Sequence, residues 1–172
     1  ARRILQEVED EYGWMYATTH TDGKAKGVTE YTVWSTVFLC PNCGGDIIFW
    51  GITEAENNYK CPHCGVVSSR IELEYSKKAV YDTVTNEVVT KYRRVPVEIS
   101  YKIGKKRHRK TPSQDDIELL ESVEERIPTN WFPKELMLFR GEKWGDTWRA
   151  GYHLGYTRVY NFYFERVLEA LS

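Results

Sequence analysis

The sequence predicts an α+β fold, and three observations carry that reading. Apolar residues recur at helical spacing near both ends, at Ile4, Leu5 and Val8 and again at Phe164, Val167, Leu168 and Leu171. Between them period-two alternation is frequent, as in Val97, Ile99, Tyr101 and Ile103 set against Glu98, Ser100 and Lys102. The four cysteines sit in two matched turns, Cys40-Pro41-Asn42-Cys43-Gly44 and Cys61-Pro62-His63-Cys64-Gly65.

The cysteine turns decide most about function. Two residues separate the thiols of each pair and 17 separate the pairs, a spacing that reads as a tetrahedral zinc site. Gly44 and Gly65 suit a tight knuckle, because glycine takes positive φ and lets backbone amides approach the sulfurs. Two such turns rarely occur together without a metal, so zinc on Cys40, Cys43, Cys61 and Cys64 is preferred over two disulfides or four buried thiols. Four thiolates fill a tetrahedron and leave no position for water or substrate, so the zinc is expected to be structural. His63, between two ligands, is expected to face solvent because the cysteine set is already complete. Thiolate ligation implies a reducing compartment, and no segment reads as a signal peptide or a membrane span, so a cytoplasmic location is expected.

A chain of 172 residues holds one compact domain or two small ones, and 41% hydrophobic residues suffice for a packed core. The net charge of -1 hides an uneven distribution, because residues 76–112 carry 11 basic and 3 acidic side chains between acidic stretches. One face is therefore expected to meet an anionic partner.

Four segments follow in order: an N-terminal helix and β-hairpin over 1–38, a zinc ribbon over 39–75, a basic β-hairpin segment over 76–112 and a helical C-terminal segment over 113–172. Residues 2–11 read as an amphipathic helix. Trp14–Thr19 and Thr29–Leu39 read as strands joined by the turn residues Thr21-Asp22-Gly23-Lys24, with Trp14 and Trp34 expected in the core. Ile47–Trp50 and Asn58–Lys60 are short ribbon strands, and Val66–Tyr75 alternates with Ile71, Leu73 and Tyr75 on one side. A ribbon this small buries too little apolar surface to stand alone, so metal binding and folding are expected to be coupled. Val88–Val95 and Val97–Ile103 read as strands interrupted at Pro96. Ser113 with Asp116 has the form of a capping box, opening a helix whose apolar face is Ile117, Leu120 and Val123.

After the turn at Gly104 comes the run Lys105-Lys106-Arg107-His108-Arg109-Lys110, preceded by Lys102. One reading is a solvated hairpin tip. The other is a ribbon that contacts DNA phosphates, supported by Lys91, Arg93 and Arg94 nearby; such contacts position a protein without reading sequence. No glycine-rich phosphate loop, GxSxG elbow or HExxH is present, and His153 in the tyrosine-rich stretch reads as a packing residue.

The landmarks Gly13-Trp14-Met15-Tyr16, Tyr31-Thr32-Val33-Trp34-Ser35 and Phe38-Leu39 before the first knuckle resemble the zinc-ribbon region of a family of bacterial DNA methyltransferases acting on exocyclic amino groups of adenine or cytosine. The resemblance continues through Pro96–Tyr101, Ile127-Pro128, Trp131-Phe132-Pro133 and Lys143-Trp144-Gly145-Asp146 to Arg166-Val167-Leu168 and Leu171-Ser172. The family's methyl-transfer loop, an Asp or Asn before Pro-Pro and an aromatic, has no counterpart here, nor has its glycine-rich cofactor turn. The resemblance therefore implies an inner piece of a larger enzyme, with S-adenosylmethionine bound only by the parent and no catalytic residue in this segment. It implies DNA and the rest of the parent as partners; Trp144 or Tyr152 is expected to pack in the core, the alternative being to stack beside the gap left by a flipped base. The alternatives are a protein-interaction module, or a brace for the catalytic domain that makes no DNA contact.

Overall fold

A 14-residue strand, Lys26–Leu39, joins the two halves of the structure. The computed structural model describes residues 2–50, 58–82, 84–124, 126, 128, 130–137 and 156–171. Helix α1 (Arg2–Tyr12) passes through a 3-10 turn (Gly13–Tyr16) into β1 (Ala17–Thr19). β1 turns back into the long strand, β2, pairing Ala17 with Val28. Asp22 shapes the intervening turn by accepting hydrogen bonds from the backbone N–H groups of Lys24 and Ala25 at 2.8 and 3.0 Å.

The far end of β2 carries the ribbon. β3 (Asp46–Ile48) pairs with Val37–Leu39, and β6 (Glu74–Tyr75) pairs with Phe38 and Leu39. Between them β4 (Asn58–Lys60) and β5 (Val67–Ser69) form a small hairpin. A second hairpin, β7 (Lys77–Asp82) and β8 (Glu87–Tyr92), then leads into β9 (Arg94–Ile103), which lies antiparallel along β2. Gly104-Lys105 turns the chain into β10 (Lys106–Lys110), giving the order β1-β2-β9-β10 in the main sheet. The helices α2 (Gln114–Glu124) and α3 (Glu165–Leu171) complete the described chain, the latter preceded by a 3-10 turn at Val159–Phe162.

The fold class is the expected one: antiparallel strands, a C-terminal helix, and four clustered cysteines consistent with a zinc ribbon. Several local expectations are corrected. Pro96 does not end a strand; β9 runs through it, opposite Trp34, where the register with β2 shifts, and a bulge of that kind accommodates a residue without an N–H. Trp14 lies in the 3-10 turn and is 44% exposed, whereas Trp34 is half-buried and stacked on Phe164 at 5.1 Å. Ile71 is 96% exposed because a 3-10 turn at Arg70–Glu72 breaks the alternation. Ile4, Leu5 and Leu171 are exposed, and the closing helix starts at Glu165, one residue after Phe164.

The core is divided. Phe38, Cys40, Ile47, Cys61 and Leu73 are buried under the ribbon, with Phe49, Tyr59 and Tyr75 against them. Tyr12, Met15 and Val123 form a second cluster joining α1 to α2, and Phe132, Tyr160 and Leu168 a third. None is large enough to dominate stability. Close approach of β2 to β9 depends on Gly27, where an added Cβ would lie 2.7 Å from Tyr101 Cδ2 and 2.9 Å from the Lys102 carbonyl oxygen. Because that oxygen is backbone, Gly27→Ala is expected to force the strands apart and cost about 1–3 kcal/mol, read as a lower urea midpoint.

Candidate metal centre

Each knuckle is a short loop folded back on its own cysteine. The Gly44 N–H donates to the Cys40 carbonyl at 2.9 Å and the Cys40 N–H to the Gly45 carbonyl at 2.9 Å. In the second knuckle the Gly65 N–H donates to the Cys61 carbonyl at 3.0 Å and the Cys61 N–H to the Val66 carbonyl at 2.8 Å. Gly44 and Gly65 take φ of 69° and 74°, a left-handed conformation that a side chain would strain. The N–H groups of Gly45 and His63 reach the sulfurs of Cys43 and Cys61, both at 3.4 Å.

The two loops face each other. All four sulfurs lie within 4.8 Å of one another, with Cys40 Sγ to Cys64 Sγ and Cys43 Sγ to Cys61 Sγ both at 3.7 Å. Tetrahedral zinc with bonds of about 2.3 Å holds its sulfurs about 3.8 Å apart, so the spacing fits one ion held by all four. It excludes disulfides, whose sulfurs lie about 2.0 Å apart, and the cysteines are free. Cys40 and Cys61 are buried among the ribbon's aromatic residues, while Cys43 and Cys64 face solvent.

Protonation of the set is uneven. The Val66 N–H and the Asn42 side chain draw the Cys64 thiol down to about 6. At Cys43 the Gly45 N–H favours the thiolate, but burial and the neighbouring sulfurs outweigh it and push the thiol up. Four adjacent negative charges cannot coexist without a cation, so metal binding must release protons from this cluster.

Around the cage, Phe38 stacks on Phe49 at 4.1 Å, Phe49 on Tyr59 at 4.2 Å, and the Arg70 guanidinium lies 4.2 Å from the Phe38 ring centre. Arg93, where β8 meets β9, pairs with Asp46 at the start of β3 and ties the cage to the main sheet.

The basic run divides into unlike parts. Lys110 is not at the surface: its Nζ donates to Asp116 at 2.6 Å and to the Thr19 carbonyl at 2.7 Å, and both charged side chains are only 5% exposed. His108 is tucked between Tyr101 and His20, 5.6 and 4.8 Å from their ring centres. Glu30 pairs with both Arg107 and Lys102, which hold its carboxyl down to about 2. Arg109 approaches Glu98 at 3.7 Å. Lys105 and Lys106, at the tip of the β9–β10 hairpin, are exposed and have no partner among the described residues.

The sequence marks Asp116 as a helix cap. It does receive the Ser113 N–H at 2.8 Å and the Ser113 hydroxyl at 2.6 Å, but also the Thr18 hydroxyl at 2.6 Å. Glu30 meets the basic run from β2, 77 residues before Arg107, and Asp116 from the first turn of α2, just after the run ends, so neither pairing shows in the run itself. Trp144, Tyr152 and His153 lie outside the described residues. Among the described residues no helix is long and apolar enough to cross a membrane. Comparison with protein-family models, curated proteins and solved structures finds no match.

Proposed function

We propose that this chain is a non-catalytic zinc-ribbon module of a DNA methyltransferase, in which the ribbon fixes shape and the β9–β10 hairpin contacts DNA phosphates. The observation that carries the reading is a four-sulfur cage at one end of the paired strands β2 and β9 and, at the other end, a hairpin tip bearing two unpartnered lysines. Kinship with the methyltransferases rests on the aromatic, proline and cysteine landmarks of the sequence. Zinc ligated by four thiolates has a structural role and requires a reducing compartment, the cytoplasm in this reading.

The phosphate-facing set is smaller than the charge run suggests. Lys105 and Lys106 lead it, with Lys102, Arg107 and Arg109 sharing two acids between them. Exposed ion pairs of this kind contribute little to stability, so a phosphate competes readily with Glu30 and Glu98. Lys110 belongs to the interior.

A gel-shift titration against salt tests this. DNA affinity is expected to fall steeply as salt rises, and Lys105→Ala with Lys106→Ala to weaken binding equally on unrelated sequences and flatten the salt slope by about two counterions. Lys110→Ala acts through folding instead. No DNA binding at low salt would remove the reading, and heat from S-adenosylmethionine binding would show that the cofactor site is not confined to the parent. A second reading, docking onto a protein or bracing a catalytic domain, is favoured by Ile4 and Leu5, exposed at 59% and 68% on α1. It predicts no salt-sensitive DNA binding.

A further inference from the structure

A groove of about 860 Å3 separates the metal knuckles from β9. Its size falls in the range of small-ligand sites, roughly 300–1,000 Å3. It exists because β10 ends at Lys110, opposite Ile99, while β9 extends back to Arg94. Along Arg94–Glu98, β9 therefore has β2 on one side and no described strand on the other. Val95 and Val97 line the bottom of the groove, Pro62 and Ile48 its ribbon side.

Two further side chains give the groove its chemistry. Trp50 lines it at 50% exposure and makes no ring contact with any described residue, so a large aromatic face is available. His63 is exposed yet not loose: a Cβ at Gly45 would lie 2.5 Å from its Cδ2, so the imidazole rests directly on the backbone of the first knuckle. A flat apolar surface with a fixed hydrogen-bonding edge suits a planar heterocycle. Asp46 also lines the groove, but its pairing with Arg93 offsets the charge that would repel an anion.

We infer that this groove receives an unpaired nucleobase of single-stranded DNA, stacked on Trp50. The inference rests on the phosphate-contact reading above and extends it to a second element. The charge distribution selects the ligand. The basic edge strand runs from the exposed Lys105 and Lys106 toward Thr111, which itself lines the groove, so a phosphate backbone following that edge arrives at the groove mouth. A duplex keeps its base faces stacked and cannot use the platform. An added peptide strand is the poorer occupant, because Pro96 interrupts the amide donors of the open β9 segment.

The test is fluorescence anisotropy of labelled oligonucleotides with the zinc-loaded chain at low salt. Trp50→Ala is expected to weaken binding of a short single-stranded oligothymidylate roughly 5- to 150-fold, to leave duplex binding and the salt slope unchanged, and Trp50→Phe to restore most of the loss. An abasic oligonucleotide should show a comparable loss with the unaltered protein, which keeps the test valid whatever Trp50→Ala does to folding. Equal affinity for abasic and intact strands would overturn the groove assignment while leaving the phosphate reading standing. Absence of any DNA binding at low salt would end both. Displacement of a bound extended peptide by a second peptide but not by oligothymidylate would give the groove to protein and overturn the inference.

Discussion

Stripping the metal from this chain with a chelator under reducing conditions is expected to unfold the ribbon while the main sheet persists. The ligands belong to the ribbon's core: Cys40 and Cys61 are 2% and 1% exposed and pack with Phe38, Ile47 and Leu73. Apart from them, the described residues between 46 and 75 are held by strands of two or three residues and one 3-10 turn. A four-cysteine zinc site supplies about 10–16 kcal/mol of apparent binding energy near neutral pH, more than such a cluster can provide by apolar burial. Native mass spectrometry should find one zinc per chain, and Cys61→Ser should abolish it. Hydrogen exchange should then show protection lost over β3 to β6 and retained at Tyr101 on β9. A chain that keeps ribbon protection without metal would contradict the assignment of the cysteines as ligands that hold the fold.

The second large effect concerns Lys110 and Asp116. Asp116 accepts from Lys110, Thr18 and Ser113, so its carboxylate is fully engaged although almost no solvent reaches it. Burial alone would raise its pKa, but the hydrogen bonds from Lys110, Ser113 and Thr18 win and hold it below the ordinary value. Asp116→Asn or Lys110→Met leaves one buried charge unpaired and is expected to cost about 3–5 kcal/mol. Replacing both by apolar residues of similar volume should cost much less than the sum, which identifies a pair with small net worth and a large penalty for being broken.

The pH dependence follows from the same carboxylate. A depressed folded-state pKa contributes stability that is complete above the unfolded value of about 3.9 and is lost as pH falls through the lower folded value. Urea titrations from neutral pH downward should show this acid-labile component in the wild type and not in Asp116→Asn. An unchanged acid profile in the variant would sink the explanation.

The elements whose periodicity is set locally were legible in the sequence: α1, the hairpin turn at Asp22, the two knuckles, and the capping box at Ser113. The four-cysteine cluster was legible because the spacing within and between the knuckles brings the sulfurs together. What failed depended either on a local turn that breaks the pattern or on a partner outside the element being read. Trp14 is expected in the core as a strand aromatic and Ile71 on one face of an alternating segment, yet each sits in a 3-10 turn that redirects its side chain. Pro96 was read as a strand boundary because the matching irregularity lies on β2, 62 residues away at Trp34. The basic run looks uniform because its partners lie outside it: Glu30 reaches it from β2, and Asp116 from the start of α2, where it also caps the helix.

A continuous β2 leaves no joint between the cage and the sheet, so the two behave as parts of a single bracket. Side chains alternate faces with every residue along a strand. Unless it is taken up as a bulge, one residue inserted near the middle of β2 would therefore invert every facing beyond it, turning Phe38 away from Ile47 and swinging the first cysteine to the wrong side. Adding two would restore the parity and merely lengthen the arm. Evolutionary or engineered changes in reach between cage and hairpin tip are thus expected to come in even steps, or in odd steps accompanied by a bulge like the one already present at Trp34.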